Sequence, residues 1–422
     1  MAIILNTIDN VSYDPAGFIL KSALLINEKL EYDIQNLIID LKITENLFSP
    51  TLNCKVVFKD SLNLVDEYFQ QNLPGYRFTG EESFFLAFTR LGLDGVLDEF
   101  EYEFKVTHWQ GYTRTVEERI HIFEFSSISI DVYNNSSIKI SKYIRGNILN
   151  NIRELAQTIN MELKVTGEST QIGNLIIPMC KPLQAISFLN RNLLDINNTP
   201  FYLFQNNKTE YEFISHSEIV DREPIGPFTY IHEDSTQAGT VEYYKQRKFR
   251  IISAGADLNL SKYYQMNTGL FASKTTIINF IDKKIDRYQY KYDLVFPKQH
   301  TLYEIQKIDD ATFNVELNND YSNERYLSRN DYTDWLSDEQ SAIMNAYQHI
   351  FSSNSLEITT VGNFDIKPGN VMNLQFPVTI DEGDRLFDEY ISGNYIIISA
   401  THEFDKSEWY TRCLVKRDSV RQ

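Results

Sequence analysis

Histidine and carboxylate side chains are the residues of this sequence that could do chemistry, and neither set is spaced for it. The histidines follow no HExxH or HxH pattern and no cysteine–histidine spacing that zinc prefers. No GxGxxG, Walker or GxSxG motif is present. We therefore predict no catalytic, cofactor-binding or metal-binding residue. The seven histidines are His108, His121, His216, His232, His300, His349 and His402.

One acidic cluster invites comparison with a glycosidase, which needs two carboxylates facing each other across a cleft. Apolar residues alternate with these carboxylates from Phe100 to Val106, so the acidic side chains share the polar face of one strand or lie just before it. The sequence predicts a solvated or lumen-facing stripe here, not an active site. The cluster consists of Asp98, Glu99, Glu101 and Glu103.

Two further polar features have structural explanations. Asn363, within Val-Gly-Asn-Phe, is predicted to be a turn residue and not a ligand. A second acidic run mostly surrounds the predicted start of a helix, where the helix dipole favours carboxylates. That run consists of Asp331, Asp334, Asp338 and Glu339.

The most strand-like stretch of the chain runs from residue 355 to residue 419. Tyr395–Phe404 is rich in β-branched and aromatic residues, and Trp409–Lys416 alternates between two faces. Four polar residues join these two segments, a length that suits a β-hairpin. Pro368-Gly369-Asn370 predicts a turn before a strand at Val371–Phe376. We predict a small antiparallel sheet with one long loop, Pro377 to Gly393.

Residues 80–127 show the same order of features. Gly80-Glu81 precedes a strand, a loop follows, and the next strand contains Thr107-His108, which aligns with Thr401-His402. A polar connection then leads to Arg119–Phe125, beside Trp409–Lys416. We predict one β module present twice. The duplicated Thr-His pair is interpreted as a packing position, although a duplicated role is the alternative.

Composition bounds the class of protein. A chain of 422 residues, with 42% hydrophobic and 13% aromatic residues, predicts a folded protein of roughly two to three domains. The 26 Tyr and 27 Phe favour sheets and interfaces. A net charge of −18 argues against binding of nucleic acid or anionic membranes. The charge is explained by solubility, or by a channel whose acidic wall does not retain a polyanion.

Cysteine usage and hydropathy indicate the cellular compartment in which the protein folds. Cys54, Cys180 and Cys413 are widely separated and odd in number, so we expect buried free thiols in a reducing compartment. No ordinary signal peptide and no 18-residue apolar run is visible, so we predict neither secretion nor membrane insertion.

The chain divides into five predicted segments. Residues 1–131 form the first β domain, and 132–226 form an α/β insertion that begins with the polar break Asp131–Ser137. Residues 227–253 contain strands that join the second β domain, and 254–336 continue the insertion. A helix that opens at Ser337 leads into the second β domain, 337–422.

The insertion carries two predicted helices. The first spans Ser141–Ile159, with Ser141 as N-cap and an isoleucine-rich stripe at helical spacing. The second begins at Pro182. A hairpin follows at Phe201–Ile214. The fold class is therefore mainly β (α+β).

The C-terminal motifs resemble a known family. Thr360–Phe364, Pro368-Gly369 and Thr401–Phe404 resemble the central baseplate hub protein of T4-like contractile-tailed phages, which is similar to the N-terminal part of type VI secretion spike proteins. The resemblance covers roughly residues 337–417. This chain departs from the family in its longer loop, Thr379–Ser392.

The resemblance implies a homotrimer in which each chain contributes two tail-tube-type antiparallel β domains to a pseudo-sixfold ring. The implied partners are a central spike protein that can bear a lysozyme, the tail tube or its initiator, and surrounding baseplate proteins. The protein would be a structural part of the virion tail baseplate, assembled in the host cytoplasm. DNA would pass through the ring without specific binding, and no cofactor is implied.

Two alternatives stay open at this point. The numerous tyrosines suit a carbohydrate- or receptor-binding β-rich tail protein, although the aromatics fall in alternating strands and not in loop clusters. A cell-wall hydrolase is the other alternative, and no catalytic pair supports it.

Overall fold

The computed structural model confirms the predicted fold class: mainly β, with an α/β insertion between two similar antiparallel β units. It describes residues 17–27, 31–60, 80–91, 97–115, 120–191, 193–206, 210–230, 247–258, 272–279, 283–291, 301–302, 323–329, 343–344, 346–347, 351, 354–378, 386–388, 391–405 and 408–419.

The elements follow one another in three stretches. The first comprises β1 (Ile19–Ile26), β2 (Glu31–Asp33), β3 (Ile38–Asn46), β4 (Asn53–Asp60), β5 (Ser83–Leu91), β6 (Leu97–Thr115) and β7 (Ile120–Ser129). The second comprises α1 (Ile130–Asn135), β8 (Ile140–Asn147), α2 (Ile148–Gln157), β9 (Leu163–Thr166), β10 (Ile172–Cys180), α3 (Pro182–Asn190), β11 (Phe201–Gln205), β12 (Tyr211–Ser215) and α4 (His216–Val220). The third comprises β13 (Ile225–Tyr230), β14 (Arg250–Leu258), β15 (Ala272–Asn279), β16 (Lys284–Lys291), β17 (Asn323–Arg329), β18 (Asn354–Val361), β19 (Val371–Gln375), β20 (Pro377–Val378), β21 (Leu386–Phe387), β22 (Gly393–Asp405) and β23 (Glu408–Lys416).

Thirteen strands form one sheet, in the order β19-β13-β14-β18-β23-β22-β3-β4-β7-β6-β5-β1-β2. β19 pairs with β22 as well as with β13, so β13, β14, β18, β23, β22 and β19 close into a barrel. Closure satisfies backbone groups that would otherwise lie at a sheet edge.

Two sets of five strands in this sheet share one pairing order. In the first repeat, β3 pairs with β4, β4 with β7, β7 with β6 and β6 with β5, all antiparallel. In the second repeat, β14, β18, β19, β22 and β23 take the places of β3, β4, β5, β6 and β7 in the same chain order. We call these sets the first and second repeat.

Two register shifts of the first repeat have counterparts in the second, whereas the β6–β7 shift between Gln110 and Tyr112 has none in β22–β23. The β3–β4 pairing shifts register around Ile39, and the β14–β18 pairing shifts around Ile252. The β6–β7 pairing shifts between Val106 and His108, and the β22–β23 pairing shifts between Ile397 and Ser399. Because a bulge changes the course of a strand, matched bulges give a residue-by-residue correspondence between the repeats.

Backbone hydrogen bonds support this correspondence. Val106 N donates to Glu82 O at 2.9 Å, and its counterpart Ile397 N donates to Asn370 O at 2.9 Å. Each bond follows directly on the last paired residues of β5–β6 and of β19–β22. The two repeats are therefore equivalent in hydrogen bonding as well as in strand order.

Alternation of apolar and polar residues explains these strands. In β6, Tyr102, Phe104 and Val106 are buried, while Glu101 and Glu103 point to solvent. Side chains of a strand alternate between two faces, so this pattern places one face against a core. Each buried aromatic side chain contributes about 1.5–3 kcal/mol of stabilisation.

The insertion differs from its sequence-based prediction at its start. Residues 140–147 form a strand, and the helix begins only at Ile148, with Asn147 Oδ1 accepting from Asn150 N at 3.1 Å as the N-cap. Gly146 has a φ of 85°, which ends the strand and prevents a continuous helix from Ser141. The predicted polar break, Asp131–Ser137, contains the short helix α1 instead. The helix at Pro182 is confirmed.

Residues 261–335, which the sequence assigns to the continued insertion (254–336), contribute a three-stranded sheet of β16, β15 and β17. In the long loop after β19, β20 and β21 form a two-stranded ribbon. Of the helix predicted from Ser337, residues 343–344 and 346–347 are described and helical. The predicted start of that helix at Ser337 lies outside the described residues.

Candidate functional site

The two repeats meet at a strand joint inside the thirteen-stranded sheet. β22 divides its pairing: Gly393–Ile396 pair with β19, whereas Ser399–Phe404 pair with Asn46–Leu41 of β3. The joint therefore continues one repeat into the other by antiparallel pairing. Backbone hydrogen bonds satisfy both edges, which would otherwise be open to other strands.

A buried polar group lies at the centre of the joint. His402 Nε2 is 3.1 Å from Glu45 Oε1, and His402 Nδ1 is 3.0 Å from Thr411 Oγ1. Thr411 Oγ1 also accepts from Asn363 N at 3.1 Å, so its hydroxyl proton points to Nδ1. His402 therefore accepts at Nδ1 and donates from Nε2 to Glu45. All three side chains are fully buried.

Charge on His402 is disfavoured in this place. Burial lowers the pKa of His402 to about 3, and the positive charge of Arg90 lowers it in the same direction. The ring is therefore neutral at physiological pH, which agrees with the tautomer that the hydrogen bonds require. The contact with Glu45 is a hydrogen bond and not an ion pair.

Polar side chains at the surface flank the buried group. Thr44 Oγ1 and Thr401 Oγ1 lie 3.1 Å apart at directly opposed positions. Lys42 Nζ lies 3.4 Å from Glu403 Oε1, and both side chains are partly exposed. Exposed ion pairs contribute at most about 1 kcal/mol, so the buried group and the packing below it hold the joint.

An aromatic cluster packs beneath the joint and crosses between the repeats. Phe88 of the first repeat contacts Phe404 of the second, with ring centroids 4.9 Å apart. Phe364 lies 4.3 Å from Trp409 and 4.2 Å from Phe100. Edge-to-face and tilted aromatic pairs add about 0.5–1.5 kcal/mol each to the burial of their area. The two repeats thus share one core.

Gly362 is required by this cluster. A Cβ at this position would lie 2.2 Å from Trp409 Cδ2, far inside van der Waals contact. Gly362 N also donates to Trp409 O at 2.8 Å, which holds the backbone against the indole. The Val-Gly-Asn-Phe segment is therefore shaped by close approach, and Asn363 is a turn residue as predicted, its Oδ1 accepting from Asp365 N at 3.0 Å.

The two Thr-His pairs lie on equivalent strands but not at equivalent positions. By the matched bulges, the counterpart of His108 in the second repeat is Ser399, which lies three residues before His402. His108 is exposed, whereas His402 is fully buried. The interpretation of both as one duplicated packing position is wrong, because a bulge and not the dipeptide sets the register.

Glu99, Glu101 and Glu103 lie on the outward face of β6, as their alternation predicts, whereas Asp98 lies within the strand on the opposite face. Lys21 Nζ is 2.8 Å from Glu99 Oε1, and Arg90 Nε is 3.9 Å from Asp98 Oδ2. A cavity of about 500 Å³ adjoins these side chains and Phe364. The carboxylates stand side by side on one strand and do not face one another across it. This arrangement does not provide the acid and base of glycoside hydrolysis.

A second buried histidine fastens the insertion to the end of β23. His216 Nε2 lies 2.9 Å from Asp418 Oδ2, and Leu302 N donates to Asp418 Oδ1 at 3.1 Å. Burial, and next the charge of Asp418, raise the pKa of Tyr202, whose hydroxyl lies 3.5 Å from His216 Nδ1. These contacts join the insertion to the segment that follows β23.

The remaining candidates are the cysteines, three other histidines and the second acidic run. Within the described part of the chain, no group of three or more His, Cys, Asp or Glu could hold a metal ion, and no helix is long and apolar enough to span a membrane. The three cysteines are free, and burial raises the pKa of each thiol. The predictions at His232, His300, His349 and the run from Asp331 to Glu339 lie outside the described residues.

Solved structures show which fold this is. The tail protein from Neisseria meningitidis MC58 aligns with a TM-score of 0.53 at 11% identity, over 96% of this chain and 98% of its own. The 43 kDa tail protein of prophage MuSo2 from Shewanella oneidensis aligns with a TM-score of 0.52 at 10% identity, over 94% and 98%. The chain has the tail-protein fold.

Sequence comparison adds nothing to this, since no protein-family model and no curated protein sequence matches the chain. A chain of the Francisella PdpA–VgrG complex aligns over 98% of this chain and 54% of its own, at 11% identity and a TM-score of 0.46, too low to support an argument. The tail-protein fold confirms, at the level of fold, the resemblance to phage tail proteins that the C-terminal motifs predict.

Within the tail-protein fold, sequence reasoning missed the residues that make the joint. Glu45 and Thr411 carry no motif, and Glu45 is 357 positions from His402. An acidic residue within the apolar pattern of β3 is the one local signal, because a buried carboxylate requires a hydrogen-bond donor.

Proposed function

We propose that the chain is a structural tail protein, a homotrimeric baseplate hub that adapts the sixfold tail tube to a threefold central spike and lines the channel for DNA ejection. The supporting observation is the pair of repeats, which have the same pairing order and two matching bulges and are joined edge to edge. Three such chains present six near-equivalent units around one axis, which resolves the mismatch between threefold and sixfold partners.

The proposed partners follow from this place in the tail. They are a central spike protein that can bear a lysozyme, the tail tube or its initiator, and the surrounding baseplate proteins. The proposed location is the tail baseplate of the virion, after assembly in the host cytoplasm. A net charge of −18 supports a channel through which DNA passes without specific binding, because a surface of the same sign repels the polyanion.

We infer that the chain is not an enzyme. Glu99, Glu101 and Glu103 share one face of β6, and the two buried histidines contact structural carboxylates and hydroxyl groups. These two histidines are therefore occupied in joining segments of the fold. Incubation with peptidoglycan tests this inference, and release of soluble fragments that persists in a highly purified sample would contradict it.

The carbohydrate- or receptor-binding alternative has less support from the structure. Sugar-binding sites use aromatic faces that are exposed side by side, whereas most large aromatic side chains in the described part of the chain are buried. The aromatic side chains recorded as exposed lie on four separate elements or turns. They are Phe48, Tyr143, Phe188 and Phe387. Binding of the purified chain to cell-surface glycans would favour this alternative.

Light scattering of the purified chain tests the proposed hub. We expect a mass of three times 49.3 kDa, and a larger complex after addition of the candidate spike protein. The monomeric mass at every concentration, with no change on addition of the spike, would overturn the proposal. Glycan binding by the same preparation would redirect it to the alternative.

A further inference from the structure

The insertion contains a two-stranded ribbon that has one covered face and one open face. β8 and β10 form this ribbon, and neither pairs with any other described strand. Ile144, Leu175 and Ile177 point from one face into the core that α2 and α3 complete. Side chains alternate between the two faces of a strand, so the residues between these positions form the outer face. Most of them are exposed, so no described segment of the chain covers the outer face.

Large apolar side chains stand on the outer face. Ile176 lies directly opposite Tyr143, and the two are 70% and 55% exposed. Ile172 on the same face is 70% exposed, and Met179, where the β8–β10 register shifts, is 74% exposed. The Tyr143 hydroxyl donates to Asn174 Oδ1, which holds the ring along the ribbon. Single exposed apolar residues are ordinary, whereas a group of them on one surface marks an interaction site.

The ribbon is basic although the chain is acidic. Residues 138–147 and 171–181 contain four Lys or Arg and no Asp or Glu, whereas the whole chain has a net charge of −18. Lys142 forms an ion pair with α2, on the covered side of the ribbon. Arg145 stands on the outer face, because it is two residues from Tyr143 along β8. The basic residues that make no ion pair with a described residue are Lys139, Arg145 and Lys181.

The makeup of the outer face is that of a protein interface. Tyr, Met and Arg are enriched at interfaces, where an apolar centre is surrounded by a polar rim. Lys139 and Lys181 adjoin the pair Ile140–Cys180, so both lie at one end of the ribbon. Opposite charges orient partners and exclude wrong ones, so these basic residues select an acidic partner. An anionic membrane is the other acidic surface, but the net charge of −18 repels it.

The ribbon also lies outside the units that would form the proposed ring. Neither β8 nor β10 belongs to the thirteen-stranded sheet that contains both repeats. We propose that the outer face of the β8–β10 ribbon binds a surrounding baseplate protein whose contact surface has apolar side chains ringed by Asp and Glu. This inference rests on the proposed function, and it specifies the contact surface on this chain and the chemistry of the partner.

Hydroxyl-radical footprinting tests whether the outer face is covered in the tail. Met179 is 74% exposed, whereas Met161 of the same insertion is 1% exposed and serves as the matched control. Met179 should be oxidised rapidly in the free chain, and its oxidation in purified tail particles should fall towards that of Met161. Met161 should be oxidised slowly in both preparations. Equal oxidation of Met179 in the free chain and in the tail particles would overturn the proposal.

Carbodiimide cross-linking tests the chemistry of the partner, because this reagent joins a lysine amine directly to a carboxylate that it contacts. In tail particles, Lys139 and Lys181 should be joined to Asp or Glu of another tail protein. The internal standard is the pair of Lys142 and Glu154, which should be joined in the free chain and in the tail alike. Cross-links of Lys139 and Lys181 to this chain alone, or to no protein, would overturn the acidic partner.

Substitutions measure the contribution of the outer face. The partner that the cross-links identify is purified and titrated against the chain by calorimetry. Ile176→Asp and Arg145→Glu should each weaken its binding at least about tenfold, the factor that 1.4 kcal/mol produces. Ile285→Asp is the control, at a 62% exposed position of β16 in a separate sheet, and should leave the affinity unchanged. Thermal melting should be alike for all variants, since the positions are exposed. Equal affinities for the three variants would overturn the proposal.

The remaining outcomes distinguish this contact from the proposed function and from other occupants. Tail particles that contain the chain but leave Met179 reactive overturn the contact and leave the hub proposal standing, whereas absence of the chain from tail particles overturns both. Protection of Met179 already in the free trimer assigns the face to a second copy and overturns the proposal. Binding to vesicles of phosphatidylglycerol and phosphatidylcholine that Ile176→Asp abolishes assigns the face to a membrane and overturns it likewise.

Discussion

His402 and Glu45 share a hydrogen bond across the joint between the two repeats, with 3.1 Å between Nε2 and Oε1 and 357 positions between the residues. Both side chains are fully buried. A buried carboxylate needs its donor, since an uncompensated polar group in a core is costly. The contact therefore penalises any arrangement in which the repeats separate, and it makes the joint a fixed part of the fold.

Replacing His402 by Leu should destabilise the chain by about 1–3 kcal/mol, because the buried Glu45 side chain loses its imidazole donor. Guanidinium denaturation followed by circular dichroism measures the change. The matched control is Lys42→Ala at the surface of the same joint, where the partly exposed contact with Glu403 contributes at most about 1 kcal/mol. Equal losses in the two variants would show that the buried bond has no special weight.

The stability of the chain should fall as the pH is lowered from about 6.5 towards 3. His402 has a pKa of about 3 in the folded chain, so below pH 6.5 the unfolded chain binds a proton that the folded chain does not. This linkage costs up to about 1.4 kcal/mol per pH unit in that window. Above pH 6.5 both states are neutral at this residue, and its contribution is constant.

The variant His402→Gln isolates this effect, since it has no titratable group at the position. Its free energy of unfolding, measured by denaturation at several pH values, should fall less steeply than that of the natural chain between pH 6.5 and 3. Parallel profiles for the two proteins would contradict a depressed pKa at His402. The difference profile removes the contributions of all other titrating groups.

The strands of both repeats can be predicted from the sequence because buried and exposed residues alternate along them. β6 and β23 each place every second residue in a core, and the resulting period of two is visible without a structure. The prediction fails at Ser141–Ile159, where isoleucines at helical spacing continue back into β8. Gly146 and the Asn147 cap start the helix later, and Ile144 reaches the same core from a strand.

The joint could not be predicted in the same way. Its register is set at the point where β22 stops pairing with β19 and begins to pair with β3. The paired residues of β22 and β3 are more than 350 positions apart in the sequence. Thr107-His108 and Thr401-His402 look alike as sequence, yet the bulges show them to be offset by three residues. Short strands have little sequence information about register, and a one-residue shift exchanges the two faces.

Substitution of Gly362 by Ala should be strongly destabilising, by at least about 3 kcal/mol, because overpacking against a rigid indole forces the backbone away. The added Cβ would lie 2.2 Å from the Trp409 ring. Gly255→Ala is the control, since its Cβ would find the nearest atom at 3.9 Å. Thermal melting of both variants, with Trp409 fluorescence as a local probe, measures the difference. Similar melting temperatures would contradict the close approach.

The insertion should detach more readily from the second repeat when Arg222 is replaced by Met. Arg222 Nη2 lies 2.5 Å from Glu212 Oε2, and Nη1 donates to Gly369 O at 3.0 Å and to Asn370 Oδ1 at 2.9 Å. Burial alone would raise the pKa of Glu212, but the hydrogen bond and charge of Arg222, with Lys367, outweigh it and lower that pKa. The guanidinium thus joins a buried carboxylate of β12 to the turn before β19.

Loss of these bonds should cost about 1.5–3 kcal/mol, the range for hydrogen bonds to charged groups. The cost should be smaller at acid pH. Because the pKa of Glu212 is lowered in the folded chain, its carboxylate stabilises the fold above the ordinary pKa of 4.5, and this contribution is lost as the pH falls from 4.5 through the folded pKa. Limited proteolysis should cut Arg222→Met between the insertion and the second repeat faster than the natural chain. Lys142→Ala, which removes an exposed ion pair with Glu154 inside the insertion, should leave that cleavage rate unchanged. Equal cleavage rates for Arg222→Met and the natural chain would mean that packing alone holds the insertion in place.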